Sequence, residues 1–217
     1  MLTSFDDLFT RYSVRPNGIL HLGASDDGRE LPHYAKACPG GPILLVEALP
    51  KVCARLEKKL THPNMRAICA CVSDKDGEER DFHVANNAGQ SSSLLSFGTH
   101  TVEHPSVQFI GDTKLVTTRV DTLLAKELAV MAQRPWFGNI DLQGAELMAL
   151  RGFGPFLEAF SWLYIEVNKR PLYQGAPMIG ELDAFLAPHG FNRRETWWFQ
   201  HSNGQEAGWG DAIWTRR

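Results

Sequence analysis

Ile19-Leu20-His21-Leu22-Gly23-Ala24-Ser25-Asp26-Asp27-Gly28 is the stretch that decides the fold. A short, mostly apolar run without polar alternation stops at a polar turn bounded by glycines. A strand buried on both faces reads this way, and such strands belong to parallel sheets covered by helices. Directly after the turn, Arg29 to Cys38 has helical spacing, and Pro39-Gly40-Gly41-Pro42 ends it. Strand, turn and helix together make the opening half of a parallel crossover.

The same alternation continues outward in both directions. Phe5 to Tyr12 precedes the strand as a short helix within an N-terminal helical segment, residues 1–16. Ile43-Leu44-Leu45-Val46 is a second buried strand closing on Glu47, and Lys51 to Leu60 a helix with Val52, Leu56 and Leu60 on one side. Met65 to Val72 reads as a third strand, Ser73 to Gly77 as a polar turn, and Glu79 to Val84 as an added strand. Leu115 to Val120 is a strand, and Asp121 is placed to cap a helix running toward Gln133. Phe137 to Asp141 is a central strand. Gly144 to Arg151 is a helix with Gly152 placed to stop it. Trp162 to Val167 and the helix Ile179 to Pro188 follow. Phe191 to Phe199 and Trp209 to Trp214 close the chain, joined so briefly through His201-Ser202-Asn203-Gly204 that they must run antiparallel.

This order predicts an α/β fold, one domain over residues 1–217, with a mostly parallel sheet carrying helices on both faces. Residues 85–112 stand apart as a long polar loop of little periodicity. Such loops are functional or mobile, and this one is a candidate substrate lid. The 217 residues, 43% of them hydrophobic, can bury a substantial core. A net charge of −3 with no basic stripe argues against nucleic acid or anionic membrane as partner. Cys38, Cys53, Cys69 and Cys71 form no C-x-x-C pair, which fits reduced thiols in a cytoplasmic protein. No basic leader precedes an apolar stretch, and no apolar run approaches the roughly 20 residues of a membrane span.

In open α/β sheets ligands bind beyond the carboxyl ends of the strands, where the strand order switches. That selects the turns after Leu22, Val46, Val72, Ile140 and Val167. In the first turn, Gly23, Ala24, Ser25, Asp26 and Gly28 offer close backbone approach, helix N–H groups for a carboxylate, and an acid or carbonyl for an amino group. An ordinary strand-to-helix turn uses the same residues. Glu47, with Ala48 beside it, is placed to accept hydrogen bonds from both hydroxyls of a ribose, or else to serve a helix N-terminus. Ser73 and Asp74 are placed to meet an adenine, or form a simple polar turn. Asn139-Ile140-Asp141-Leu142-Gln143-Gly144-Ala145-Glu146 is the most distinctive segment. Asp141 ends a central strand beside the expected cofactor, and Glu146 reads as a helix-start acid.

Taken together, Ile19 to Gly28, Glu47 to Pro50, Val72-Ser73-Asp74, Val120 to Leu123, Ile140 to Glu146 and Ile165-Glu166-Val167 resemble the FkbM-type methyltransferases from about residue 17 onward. The resemblance implies a Rossmann-like class I methyltransferase fold, a seven-stranded sheet with a C-terminal antiparallel hairpin. It implies S-adenosylmethionine as cofactor and O-methylation of a hydroxyl on a sugar, polyketide or other small metabolite. His21 stands where many members carry an acid, so no role is transferred to it.

Methyl transfer to a hydroxyl needs positioning and a proton acceptor. Asp141 and His100 are the catalytic candidates, with His83 and His104 behind them, and Gln143, Glu166 and Asn168 are placed for the acceptor. Asp141, Glu166 and Asn168 offer oxygen ligands suited to Mg²⁺, or hydrogen bonds to substrate; a divalent metal is possible but none is assigned. Trp197-Trp198-Phe199 is placed to line an acceptor pocket or to pack as sheet face. Two other classes compete: an NAD-dependent reductase, against which stands the absence of any Tyr-x-x-x-Lys pair, and a non-catalytic S-adenosylmethionine-binding module. A nucleic-acid methyltransferase would often show an Asn/Asp-Pro-Pro-aromatic run, and Asn139 to Gly144 has no proline.

Overall fold

The computed structural model describes residues 4–125, 134–201 and 203–216. In chain order the elements are α1 (Phe5–Arg11), β1 (Gly18–Leu22), α2 (Leu31–Ala37), β2 (Ile43–Glu47), α3 (Pro50–Glu57), β3 (Met65–Cys69), β4 (Cys71–Ser73), β5 (Glu79–Ala85), α4 (His100–Glu103), β6 (Phe109–Arg119), α5 (Val120–Leu123), β7 (Trp136–Ile140), α6 (Glu146–Gly152), β8 (Phe160–Asn168), α7 (Ile179–Leu186), β9 (Asn192–Gln200) and β10 (Glu206–Thr215).

Every residue of β1, β2 and β7 is buried, as unalternating apolar runs require. They form the middle of a seven-stranded sheet in the order β3-β2-β1-β7-β8-β10-β9. β3, β2, β1, β7 and β8 pair in parallel, and β10 runs antiparallel between β8 and β9. The strand period of two sorts the core. Leu20, Leu22, Leu44, Val46, Ile140 and Leu163 pack on one face, and Ile19, Ile43, Leu45, Phe137 and Tyr164 on the other. Strand order reverses between β1 and β7, which puts the ligand crevice at their carboxyl ends.

The expected third strand is two strands. Ala70 N–H donates to the Glu47 carbonyl at 3.0 Å, and from Cys71 the chain leaves the main sheet to pair in parallel with β6. Leu115 to Arg119 is the last part of an 11-residue strand in this smaller sheet, ordered β4-β6-β5. Asp121 does not cap α5. Arg119 holds the N-cap position, and its guanidinium takes both Asp121 oxygens at 2.9 and 2.7 Å, leaving Asp121 within the helix. The rest of the helix expected toward Gln133 lies outside the described residues.

Gly152 closes α6 for a packing reason rather than a left-handed one. A Cβ there would stand 2.2 Å from the Ser73 carbonyl oxygen, so the glycine lets α6 lie against β4. The helix expected from Arg29 starts at Leu31, with Pro32 in its first turn, because Arg29 is held by Asp27 through its backbone N–H (3.1 Å) and Nε (2.8 Å). Among the described residues no helix is long and apolar enough to cross a membrane.

Candidate active site

The site is assembled at the carboxyl ends of β1, β2, β7 and β8. Gly23 leaves β1 with φ +81°, and its N–H donates to the Val46 carbonyl at 2.9 Å. A Cβ on Gly23 would lie 1.7 Å from the Asp141 carbonyl oxygen, so only glycine lets the ends of β1 and β7 meet. Ser25 follows in the left-handed region (φ +49°), and its N–H donates to Glu47 Oε2 at 3.1 Å. Glu47 Oε1 accepts from Leu49 N–H at 2.9 Å. One carboxylate thereby ties the first turn to the end of β2. Its burial pushes the pKa up, against the opposing pull of those N–H donors.

The turn after β7 is held as firmly. Gln143 has φ +54°, a conformation costly for a residue with a Cβ. Tyr173 Oη donates to its Oε1 at 2.7 Å, and Ser93 Oγ donates to its carbonyl at 2.8 Å. Gln143 Nε2 donates to Asp141 Oδ1 at 2.6 Å and to Glu166 Oε2 at 3.3 Å. Glu146 is fully buried, and its Oε1 accepts from the N–H groups of Leu142 (3.0 Å) and Gly144 (2.9 Å). It is the first residue of α6, as expected, but it also closes the loop that presents Asp141.

Two cavities share this rim. Gly23, Ser25, Gln90, Asp141 and Gln143 border both. The narrower one runs past Glu47, Ala48, Val52, Cys71, Val72 and Leu94, a mostly apolar slot with the Glu47 carboxylate in its wall. The wider one, about 580 Å³, contains Ala24, Glu166, His100, His104, Tyr164 and Phe199 in its lining.

The other expected site residues lie elsewhere. Asp26 lines neither cavity, and its carboxylate takes Arg55 Nε at 2.6 Å. Gly28 (φ +74°) shapes the turn from behind. Ser73 and Asp74 lie past the slot and bond to each other at 3.2 Å, so its wall is Cys71 and Val72 instead. Asn168 is buried on the same strand as Glu166 but outside the wider cavity. His83 pairs with Asp112 at 2.6 Å away from the site. Of the aromatic run, only Phe199 reaches the cavity. Trp197 packs in the core, and Trp198 carries Lys169 Nζ 4.1 Å from its ring centre.

Part of the long polar segment 85–112 packs against the site. Ser91, Ser92, Ser93, Leu94 and His100 are buried, and Phe97 stacks on His100 (4.2 Å) and Phe109 (3.7 Å). Burial pushes the His100 pKa down to about 4, so its ring is neutral at neutral pH, and its buried Nδ1 has no hydrogen-bond partner among the described residues.

Asp211 was not singled out by sequence reasoning. It sits opposite Glu166 in the β8–β10 register, lines the wider cavity, and accepts from Tyr164 Oη at 2.7 Å. An acid inside the otherwise apolar run Gly210 to Trp214 was the available signal. Burial pushes Asp211 and Glu146 each up to about 7, and raises Asp141 and Glu166 as well.

These shifts fix a pH dependence. Raised carboxyl pKa values stabilise the fold fully below the unfolded-state values, and that contribution is lost as pH rises through about 7. His21 and His100, both depressed to about 4 by burial, act oppositely: their contribution is present above 6.5 and is lost as pH falls through about 4. The thermal midpoint of the ligand-free protein is therefore expected to climb as pH drops from about 8 to about 6.5 and to level off below that, where the two pairs oppose each other. Scanning fluorimetry across this range checks it; a midpoint rising steadily toward pH 8 would show the acids ionised in the fold.

The family described as the methyltransferase FkbM domain matches residues 21–193. The 2-O-methyltransferase NoeI of Sinorhizobium fredii (strain NBRC 101917 / NGR234) is 26% identical over 164 residues, covering 72% of this chain and 65% of that protein, just under two thirds of its length. Magnesium protoporphyrin IX methyltransferase from Synechocystis PCC 6803, solved with SAH bound, is similar with a TM-score of 0.52 at 8% identity, over 98% of this chain and 79% of that one. The same enzyme with SAM bound gives a TM-score of 0.48 at 9% identity, over 98% and 76%.

Proposed function

Since the chain belongs to the FkbM methyltransferase family, we propose that it transfers a methyl group from S-adenosylmethionine to a hydroxyl of a small metabolite. The observation that carries this reading is the meeting of Gly23, Glu47 and Asp141 around one cleft that widens from a slot into a cavity. Glu47 has lone pairs left for ribose hydroxyls, Ala48, Cys71 and Val72 would flank the adenine, and the Gly23-Ala24-Ser25 backbone would receive the amino-acid end. The donor's sulfur would then face Asp141, at the rim common to both spaces.

The acceptor occupies the wider cavity, and its oxygen attacks the methyl carbon in line. The O–CH₃ bond forms as the S–CH₃ bond breaks, the bonding pair stays on sulfur, and the hydroxyl proton passes to Asp141. His100, neutral and part of that cavity's lining, orients the acceptor, as do Gln143 and Glu166. The 2-O-methyltransferase named above supports oxygen as the methylated atom.

Calorimetry tests the cofactor first. S-adenosylhomocysteine should bind and NADH should not, and Glu47→Gln should weaken the binding by roughly 10- to 100-fold, the worth of a hydrogen bond to a charged group. Binding of NADH in its place would sink the reading. Methyl turnover on a panel of hydroxylated acceptors follows; cofactor binding without turnover on any acceptor would leave a binding module.

A further inference from the structure

We propose that Asp141, Glu146 and Glu166 hold one divalent cation of the oxygen-preferring kind, such as Mg²⁺ or Mn²⁺, between the donor slot and the acceptor cavity. One oxygen from each residue lies within 4.8 Å of the others, a spacing a single ion can draw together. The three come from the end of β7, the start of α6 and the end of β8, so the cluster is held by separate rigid elements.

Three carboxylates this close in a buried place repel one another unless a proton or a cation joins them. Their partners here are the Gln143 amide and two backbone N–H groups. These leave Glu146 Oε2 without a hydrogen-bond partner among the described residues, although the residue is fully buried. A buried orphan carboxylate oxygen calls for a ligand such as an ion or a water. Its sister oxygen is fixed by Leu142 and Gly144, so the free one cannot turn toward solvent without losing those bonds. A second orphan oxygen, Asn168 Oδ1, belongs to a buried residue two positions along β8 from Glu166, on the same side of the strand.

An all-oxygen set of acids selects hard cations over zinc or copper. An ion here would lower the pKa of an acceptor hydroxyl beside it, easing loss of its proton. That role rests on the methyl-transfer reading; the site itself does not.

Manganese reports on the site directly. Chelator-treated protein titrated with MnCl₂ should take up one Mn²⁺ per chain, seen as loss of the free-ion electron paramagnetic resonance signal, and MgCl₂ should compete. Glu166→Gln should weaken uptake by about 100-fold or more, beyond the loss typical of an outer-shell partner. Glu146→Gln should do the same, with its melting curve showing that the fold persists. Asp211→Asn, which removes an acid from the same cavity but not from the cluster, should leave uptake within a few-fold. No saturable uptake at low millimolar Mn²⁺, or equal losses in Asp211→Asn and Glu166→Gln, would overturn the proposal. S-adenosylhomocysteine titrated into the same samples separates the two ideas: metal without cofactor product would retire the methyl-transfer reading, and cofactor product without metal would retire the site.

Discussion

Gly23→Ala is expected to cost about 3 kcal/mol of stability or more, and with it S-adenosylhomocysteine binding. Two effects add. Alanine is disfavoured at φ +81°, and its Cβ would sit 1.7 Å from the Asp141 carbonyl oxygen, a backbone atom that cannot swing aside. Relief requires the ends of β1 and β7 to part, which displaces Asp141 and opens the rim shared by both cavities. For a chain of this size the thermal midpoint should fall by roughly 10 °C. Gly28→Ala is the control. Its φ is +74°, but the nearest atom to a Cβ there is Leu31 Cδ1 at 3.4 Å, so only conformational strain of about 1 kcal/mol is expected. Equal, small effects in the two variants, read by thermal melts and calorimetry, would refute the close-approach argument.

Asp141→Asn should reduce methyl turnover by about 100- to 10,000-fold, the range for losing a positioned proton acceptor. The amide keeps the shape and hydrogen-bonding reach of the acid, so the cofactor product should still bind within a few-fold. Stability should move the other way. Burial raises the Asp141 pKa, which marks its charge as unfavourable to the fold, and a neutral side chain removes that penalty. Lower turnover together with an equal or higher thermal midpoint is an outcome that a merely structural role would not produce. Unchanged turnover would take the reaction away from this residue.

Much of this was legible in the residues. The strands β1, β2 and β7 announce themselves because a strand buried on both faces is mostly apolar without alternation, with His21, Glu47 and Asn139 as the polar exceptions. Gly23 and Glu47 could be placed from the rule for strand ends alone. The failures have a common cause. Nothing local marks the break at Ala70, because the second half of that run is equally apolar; its partner β6 lies more than forty residues away. Asp121 has the composition of a cap, but it lies inside a helix capped by Arg119, and the Arg119 guanidinium binds both of its oxygens. Residues 85–112 look like an open loop because their serines are polar. Ser92 and Ser93 are nevertheless buried because their hydroxyls find backbone partners, Ser92 Oγ with Ala85 N–H and Ser93 Oγ with the Gln143 carbonyl.

The sequence by itself determined the α/β alternation, the closing hairpin and the turn that begins at Gly23, since these depend on local periodicity and on which residues tolerate a left-handed backbone. The carboxylate cluster was decided only by the tertiary structure. Asp141, Glu146 and Glu166 lie up to 25 positions apart, and Asp211 meets Glu166 solely through the register of β8 with β10. Burial then raised their pKa values, and burial is a property of what the rest of the chain packs around a side chain, which no spacing of residues encodes.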